Sequence, residues 1–238
     1  MKNTRLFFCS NLFLGIMITL YSCSSIEGTG PMVNEARAVS EITAIDLEMN
    51  ANVYLIKGDT QSVVISAQQN ILDVLKTEVN DGKIEIKTSE SISVSEPVQI
   101  WITTKTIEDI ELSGSGSIVS TTEFNSEKLS AELSGSGKIS LVLNNAKFTG
   151  DLSGSGDIYL KGKIAEGKFD LSGSGNIFAM ECVMDKCKLD IKGSGTAKVN
   201  VSSELDASID GSGEVLYSGN PHKVKSDVKG SGRISKME

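Results

Sequence analysis

The sequence is poor in the residue types on which most catalytic centres and nucleic-acid surfaces depend. Its 238 residues include one His, one Trp and three Pro, and aromatics make up 5%. The sole histidine, His222, follows Pro221 in a loop near the end, so a nucleophilic triad built around imidazole has almost nothing to work with. Basic residues are also in deficit, 23 Lys and Arg against 31 Asp and Glu, for a net charge of -8. Nucleic acid is therefore not an expected partner, because phosphate binding needs a basic face. The scarcity of proline beside 23 glycines excludes collagen and Pro-rich linkers. Long apolar runs are missing except at the start, where Leu6 to Leu20 stops short of the roughly 20 residues a bilayer-spanning helix needs. What is present, 39% hydrophobic and 23% charged residues, is enough to build a core in one large domain or two small ones.

Lys2 and Arg5 precede the short apolar run, which ends in Leu20-Tyr21-Ser22-Cys23. A basic start, an apolar core and a small residue before the cut make a secretory signal over residues 1–22. The ending resembles a bacterial lipoprotein signal, with Leu20, Ser22 and an acylated Cys23 in their places and a bulky Tyr21 as the one departure. Acyl chains on Cys23 would anchor the protein in a membrane, the outer membrane in this reading, facing the periplasm or the exterior. Cleavage removes two positive charges and takes the net charge from -8 to -10. Residues 23–32, polar and Gly-containing, are expected to form a flexible tether.

Fourteen of the 23 glycines belong to one periodic feature. Gly-Ser-Gly begins at Gly114, Gly135, Gly154, Gly173, Gly193, Gly211 and Gly230, at spacings of 21, 19, 19, 20, 18 and 19. Apolar residues alternate on both sides of each copy, as in Phe148, Gly150 and Leu152 before one and Ile139, Leu141 and Leu143 after another. Period-two spacing around a Gly-rich corner means two short strands per repeat, each with one buried face. About nineteen residues cannot hold a core alone, whereas stacked repeats can. The expected fold is all-β, a β-solenoid over 111–238 in which like strands of successive coils pair in parallel; an antiparallel meander with hairpin turns is the competitor. Residues 33–110 lack the tripeptide but keep strand character, with turns at Lys57–Thr60 and Asn80–Lys83 and one short helix possible within Asn70–Val79. This section is expected to form irregular first coils and cap one end, giving one continuous domain over 33–238.

At this point the chain resembles the auto-transporter adhesin head GIN domain family. The resemblance covers roughly residues 37 to 234 and rests on Ile45–Lys57 (IDLEMNANVYLIK), Val79–Ile86 (VNDGKIEI), and Ile110–Gly116 (IELSGSG) with its later copies. It implies a right-handed parallel β-helix similar to pectin-lyase architectures without an identified catalytic set, and a role in adhesion. The last three copies depart from the pattern, with Lys192, Asp210 and Lys229 replacing Ser before the first glycine.

Stacking would align outward residues into rows. Glu111, Glu132, Asp151, Asp170 and Asp190 form an acidic ladder, broken at Ser208 and resumed at Asp227. Like charges on neighbouring strands repel, so the row either holds divalent cations, meets a cationic partner or supplies acid and base, or it is a solubilising face relieved by Lys168, Lys188 and Lys225. A second row brings Tyr159 beside Phe178, a stacking platform for a sugar ring or an apolar side chain, or simply a cross-strand packing pair. Cys182 and Cys187 in an exported chain are placed for a disulfide; the alternative is Cys187 as a core residue with Cys182 free at a corner, and a two-Cys zinc site is disfavoured. Gly-Ser-Gly is neither a nucleophile elbow nor a dinucleotide-binding loop, and only Asp157 of seven positions fits a calcium β-roll, so no cofactor or metal is expected. The function these features favour is a non-enzymatic envelope lipoprotein that binds a glycan or a surface protein. The alternatives are a lyase-type polysaccharide enzyme and a purely structural envelope component.

Overall fold

The computed structural model of the chain describes residues 25–237, and the expected signal segment 1–22 and the lipidation residue Cys23 lie outside them. The described chain is nearly all β and winds into a solenoid of about seven turns with a spacing near nineteen residues. Four long strands, Lys138–Gly154, Asp157–Gly173, Asn176–Gly193 and Thr196–Gly211, each trace most of a coil. Successive coils pair in parallel, so that Ile139 lies beside Ile158, Ile158 beside Ile177 and Ile177 beside Ala197. The hairpin meander is thereby excluded for the repeat region.

The corner explains the tripeptide. Gly154 has φ +121°, and a Cβ there would stand 2.4 Å from the carbonyl oxygen of Gly135 in the coil before. Gly156 is buried, and a Cβ on it would meet Gly137 O at 2.5 Å and the Leu133 side chain at 2.7 Å. Ser155, between them, points to solvent, and its N–H donates to Gly135 O at 2.9 Å. The first glycine is thus required by backbone conformation and the second by close approach of the neighbouring coil.

Inward side chains form columns along the axis. One runs Leu47, Leu112, Leu133, Leu152, Leu171, Ile191 and Ile209, all buried. Another alternates bulk and absence, with Phe148 beside Gly167 and Gly167 beside Cys187. Small residues opposite large ones let successive layers interdigitate. Both cysteines belong to this packing. Cys182 stands in register with Gly162 and Cys187 with Gly167, each filling space where the preceding coil has no side chain. The expected disulfide is corrected accordingly: Cys182 and Cys187 are free, buried thiols. Burial pushes both up to about 12, so neither supplies thiolate at neutral pH.

The N-terminal section is not simply a run of early coils. Ala44–Leu47 and Ala51–Lys57 form a coil that pairs in parallel with Asp109–Gly114 and Ser117–Phe124 on one side. On its other side lie Lys83–Thr88 and Val98–Thr104, which come later in sequence. After Met32–Arg37 the chain therefore builds the second coil, turns back to build the terminal one, then crosses over to start the repeats. Antiparallel strands close that end, with Ser62–Gln68 and then Met32–Arg37 beyond Val98–Thr104, and Leu75–Asn80 beyond Lys83–Thr88. The expected helix within 70–79 is a single turn, Gln69–Leu72; the rest is strand, because Leu75–Asn80 pairs across the Asp81-Gly82 turn, where both residues have positive φ. Part of the expected tether is also held: Ile26–Glu27 pairs with Ile92–Ser93, and the Asn70 amide donates to Glu27 O at 2.7 Å.

At the opposite end the last described coil, Lys223–Gly230 and Arg233–Lys236, pairs on one side only among the described residues. All eight residues of Lys223–Gly230 are exposed, and Val224 and Val228, which continue core columns, are 42% and 39% accessible.

Candidate functional site

Register turns sequence rows into physical ones on two outward surfaces. The acidic ladder exists and is longer than the sequence spacing suggested. Glu111, Glu132, Asp151, Asp170 and Asp190 stand in consecutive register, and two further carboxylates, Asp46 and then Glu85, extend the row beyond Glu111. Ser208 interrupts it and donates its hydroxyl to Asp190 at 2.8 Å.

Lysines from the adjacent row restrain the ladder. Lys83 Nζ lies 2.6 Å from Glu111 and 3.8 Å from Asp109; Lys168 is 2.5 Å from Asp170 and Lys188 is 3.6 Å from Asp190. Hydrogen bonding to Asp170 raises the Lys168 ammonium, and hydrogen bonding to Glu111 raises that of Lys83. Two carboxylates lie between such contacts. Burial, with Glu111 nearby, raises Asp46 above its ordinary value, and burial followed by the Asp170 charge does the same to Asp151. Among the described residues no three His, Cys, Asp or Glu converge in a way that could hold a metal ion. The ladder presents one carboxylate per coil, a spacing of about 4.8 Å, which suits pairing with lysine better than enclosing a cation.

Four residues before the ladder a column of alternating sign climbs the solenoid. Lys147 is 4.0 Å from Glu166, Glu166 is 3.6 Å from Lys186, and Lys223 is 2.5 Å from Glu204. Beside it a shallow cavity of about 380 Å³ opens where Gly167 lacks a side chain, with Phe148 and Cys187 on its floor and Lys168 and Lys188 on its rim. These exposed pairs contribute little to stability and serve mainly to fix register.

The aromatic row holds more than was visible in the sequence. Tyr159 and Phe178 stack with centroids 4.8 Å apart and planes 25° from parallel. Lys138 Nζ sits 4.7 Å over the Tyr159 ring and Lys198 Nζ 5.8 Å over Phe178, so a cation covers each end of the stack. The same row, followed by register through Ser140 and Val119, reaches Tyr54 and then Trp101. Those two rings form a second stack, 5.6 Å between centroids and 20° from parallel. Sequence order hid this pair, because Trp101 belongs to the terminal coil although it follows Tyr54 by 47 residues. A polar row runs beside the aromatic one. Ser117 donates to Asn52 at 2.7 Å, Asn176 to Asp157 at 2.8 Å, and the Tyr159 hydroxyl to Asp157 at 3.3 Å.

Residues 41–221 match the model of the family described as "Putative auto-transporter adhesin, head GIN domain". A "putative adhesin" from Bacteroides fragilis has a similar crystal structure, with TM-score 0.84 and 23% identity, covering 90% of this chain and 100% of that one. A "putative lipid binding protein" from Parabacteroides distasonis follows at TM-score 0.75 and 24% identity, covering 90% and 100%. A "putative adhesin" from Parabacteroides merdae has TM-score 0.71 and 17% identity, covering 90% and 99%. At these identities the structures share the fold. No curated protein matches the chain.

Proposed function

The chain belongs to the auto-transporter adhesin head GIN domain family, and we propose that it is an exported, lipid-anchored adhesin that acts by binding and not by catalysis. The observation that carries this reading is how the fold spends its side chains. Inward columns build the core, while outward residues are repeated once per coil, so any weak contact recurs along an extended face. Multiplied weak contacts are how a surface binder gains avidity. Catalysis instead needs a few unlike groups converging on one reacting atom. The ladder carboxylates are spaced along the axis, with Glu111, Asp170 and Asp190 tied to lysines, an arrangement that favours binding over the polysaccharide-lyase alternative.

The anchor belongs to the same proposal and is carried by Leu20, Ser22 and Cys23. With Cys23 acylated, the solenoid would be displayed from the outer membrane. Two measurements test the reading. Beads coated with the mature chain should adhere to cells or glycan-bearing surfaces and release no product from uronate polymers; product release with no adhesion would overturn it. Cys23→Ser should move the protein from the membrane fraction to the soluble fraction, and unchanged membrane association would remove the anchor.

A further inference from the structure

We propose that the aromatic row is a seat for an acidic polysaccharide, with sugar rings held in the trough between the Tyr54–Trp101 and Tyr159–Phe178 stacks. The proposal rests on the adhesive reading above and supplies the class of ligand. Rings that stack along the solenoid axis turn their faces along that axis, toward the next coil. The Tyr54 face and the Tyr159 face therefore look at each other across the two intervening coils. Only Val119 and Ser140 occupy the row between them, and the Lys138 ammonium lies over the Tyr159 face, 4.7 Å from its centroid, which leaves the Tyr54 face as the one on which a sugar ring stacks. Three strand spacings separate Tyr54 from Tyr159, about 14 Å, which leaves room for a sugar ring on the Tyr54 face with its substituents turned toward the Lys138 ammonium. Pyranose rings carry an apolar C–H face that packs on aromatics and a rim of hydroxyls that needs hydrogen-bond partners. Asn52, Ser117 and Lys138 line the trough on its polar side.

Charge decides the kind of sugar. Lys138 and Lys198 bracket the Tyr159–Phe178 stack, and neither has a carboxylate within 4.0 Å among the described residues, although most ladder lysines do. Two ammonium groups left over ring faces on a chain of net charge -8 are complementary to an anionic ligand, and in a sugar that means carboxylate or sulfate substituents. A further shallow cavity of about 220 Å³ adjoins the stack, formed by Tyr159, Phe178, Met180, Lys161 and Glu181, and extends the seat toward the next corner.

The test is calorimetric titration of the mature protein with oligogalacturonides, with neutral malto-oligosaccharides alongside. Binding of the acidic series is expected, weakening with added salt. Ser140→Phe, which fills the trough with a third ring and leaves the core untouched, should weaken it by about tenfold or more, and Lys138→Glu should abolish the preference for acidic over neutral chains. No binding of the acidic series, stronger binding of the neutral series, or unchanged affinity in Ser140→Phe would each overturn the proposal. Bead adhesion separates this from the broader reading. If wild-type and Ser140→Phe beads adhere equally well, adhesion stands and this seat is wrong; if wild-type beads do not adhere, the adhesive reading itself fails.

Discussion

At the N-terminal end of the solenoid the core is closed by sequence outside the Gly-Ser-Gly repeat. Antiparallel strands extend past the coil of Lys83–Thr88 and Val98–Thr104, and Ile71, Leu72 and Leu75 are buried there. At the other end of the described residues no such cap is seen: Val224 and Val228 are about 40% exposed, and among the described residues the outer edge of Lys223–Gly230 is unpaired. A repeat specifies its own continuation but carries no instruction to end, so closure must come from a different kind of sequence. The charges differ to match. Lys223, Lys225, Lys229, Arg233 and Lys236 crowd the open coil, where charged edge residues oppose pairing with another chain. Three of them are also tied to Glu204, Asp206 and Glu214 of the coil below.

The regular middle is where substitution should cost most. Gly154→Ala combines a positive φ with a Cβ 2.4 Å from a neighbouring carbonyl oxygen, whereas Gly114→Ala has a positive φ but nothing within 4 Å. In chemical denaturation Gly154→Ala should lose about 3 kcal/mol or more and Gly114→Ala about 1–2 kcal/mol. Equal losses would mean that coil contact does not make the corner glycines necessary.

The two ends should then part company. Leu72→Ala, under the cap, is expected to cost about 2–4 kcal/mol, while Val228→Ala at the open end should cost less than about 1 kcal/mol. Matching losses at both sites would show that the last coil is covered in solution. Smaller still is the response to acid. Asp46 and Asp151 have folded values raised above 3.8, so the folded state binds more protons than the unfolded one from about pH 4 upward. Stability from these two groups therefore falls as pH rises through that window, and Asp151→Asn should flatten the slope and leave the protein slightly more stable at neutral pH. A loss of stability at neutral pH would show that the ionised carboxylate is favourably paired. Last, Lys186→Ala in the alternating column should change stability by no more than about 0.5 kcal/mol, read from thermal melts.

The parallel coils of the repeat half were legible because glycine marks each corner and the apolar alternation continues across it. The same signal failed where glycine was absent. Glu48-Met-Asn-Ala51 is a corner in register with Ser113-Gly-Ser-Gly116, since Leu47 pairs with Leu112 and Asn52 with Ser117. Only the apolar offsets shared by Ile45, Leu47 and Val53 with Ile110, Leu112 and Ile118 could have revealed it. Missing that coil hid Asp46 and Glu85 from the ladder and Tyr54 with Trp101 from the aromatic row, because both groups arise from a coil order that departs from chain order. The cysteines misled for another reason. Export favours disulfides in general, but Gly162 and Gly167, twenty residues before Cys182 and Cys187, leave core space that the two thiols fill.

Trp101 is the only tryptophan in the chain, half-buried against Tyr54, and it allows binding and cleavage to be followed in one sample. Polygalacturonate titrated into the mature protein should change Trp101 fluorescence saturably, in wild type but not in Ser140→Phe, and the polymer should be recovered at its original length. No fluorescence change, or a shortened polymer, would contradict the account of this solenoid as a surface that binds without reacting.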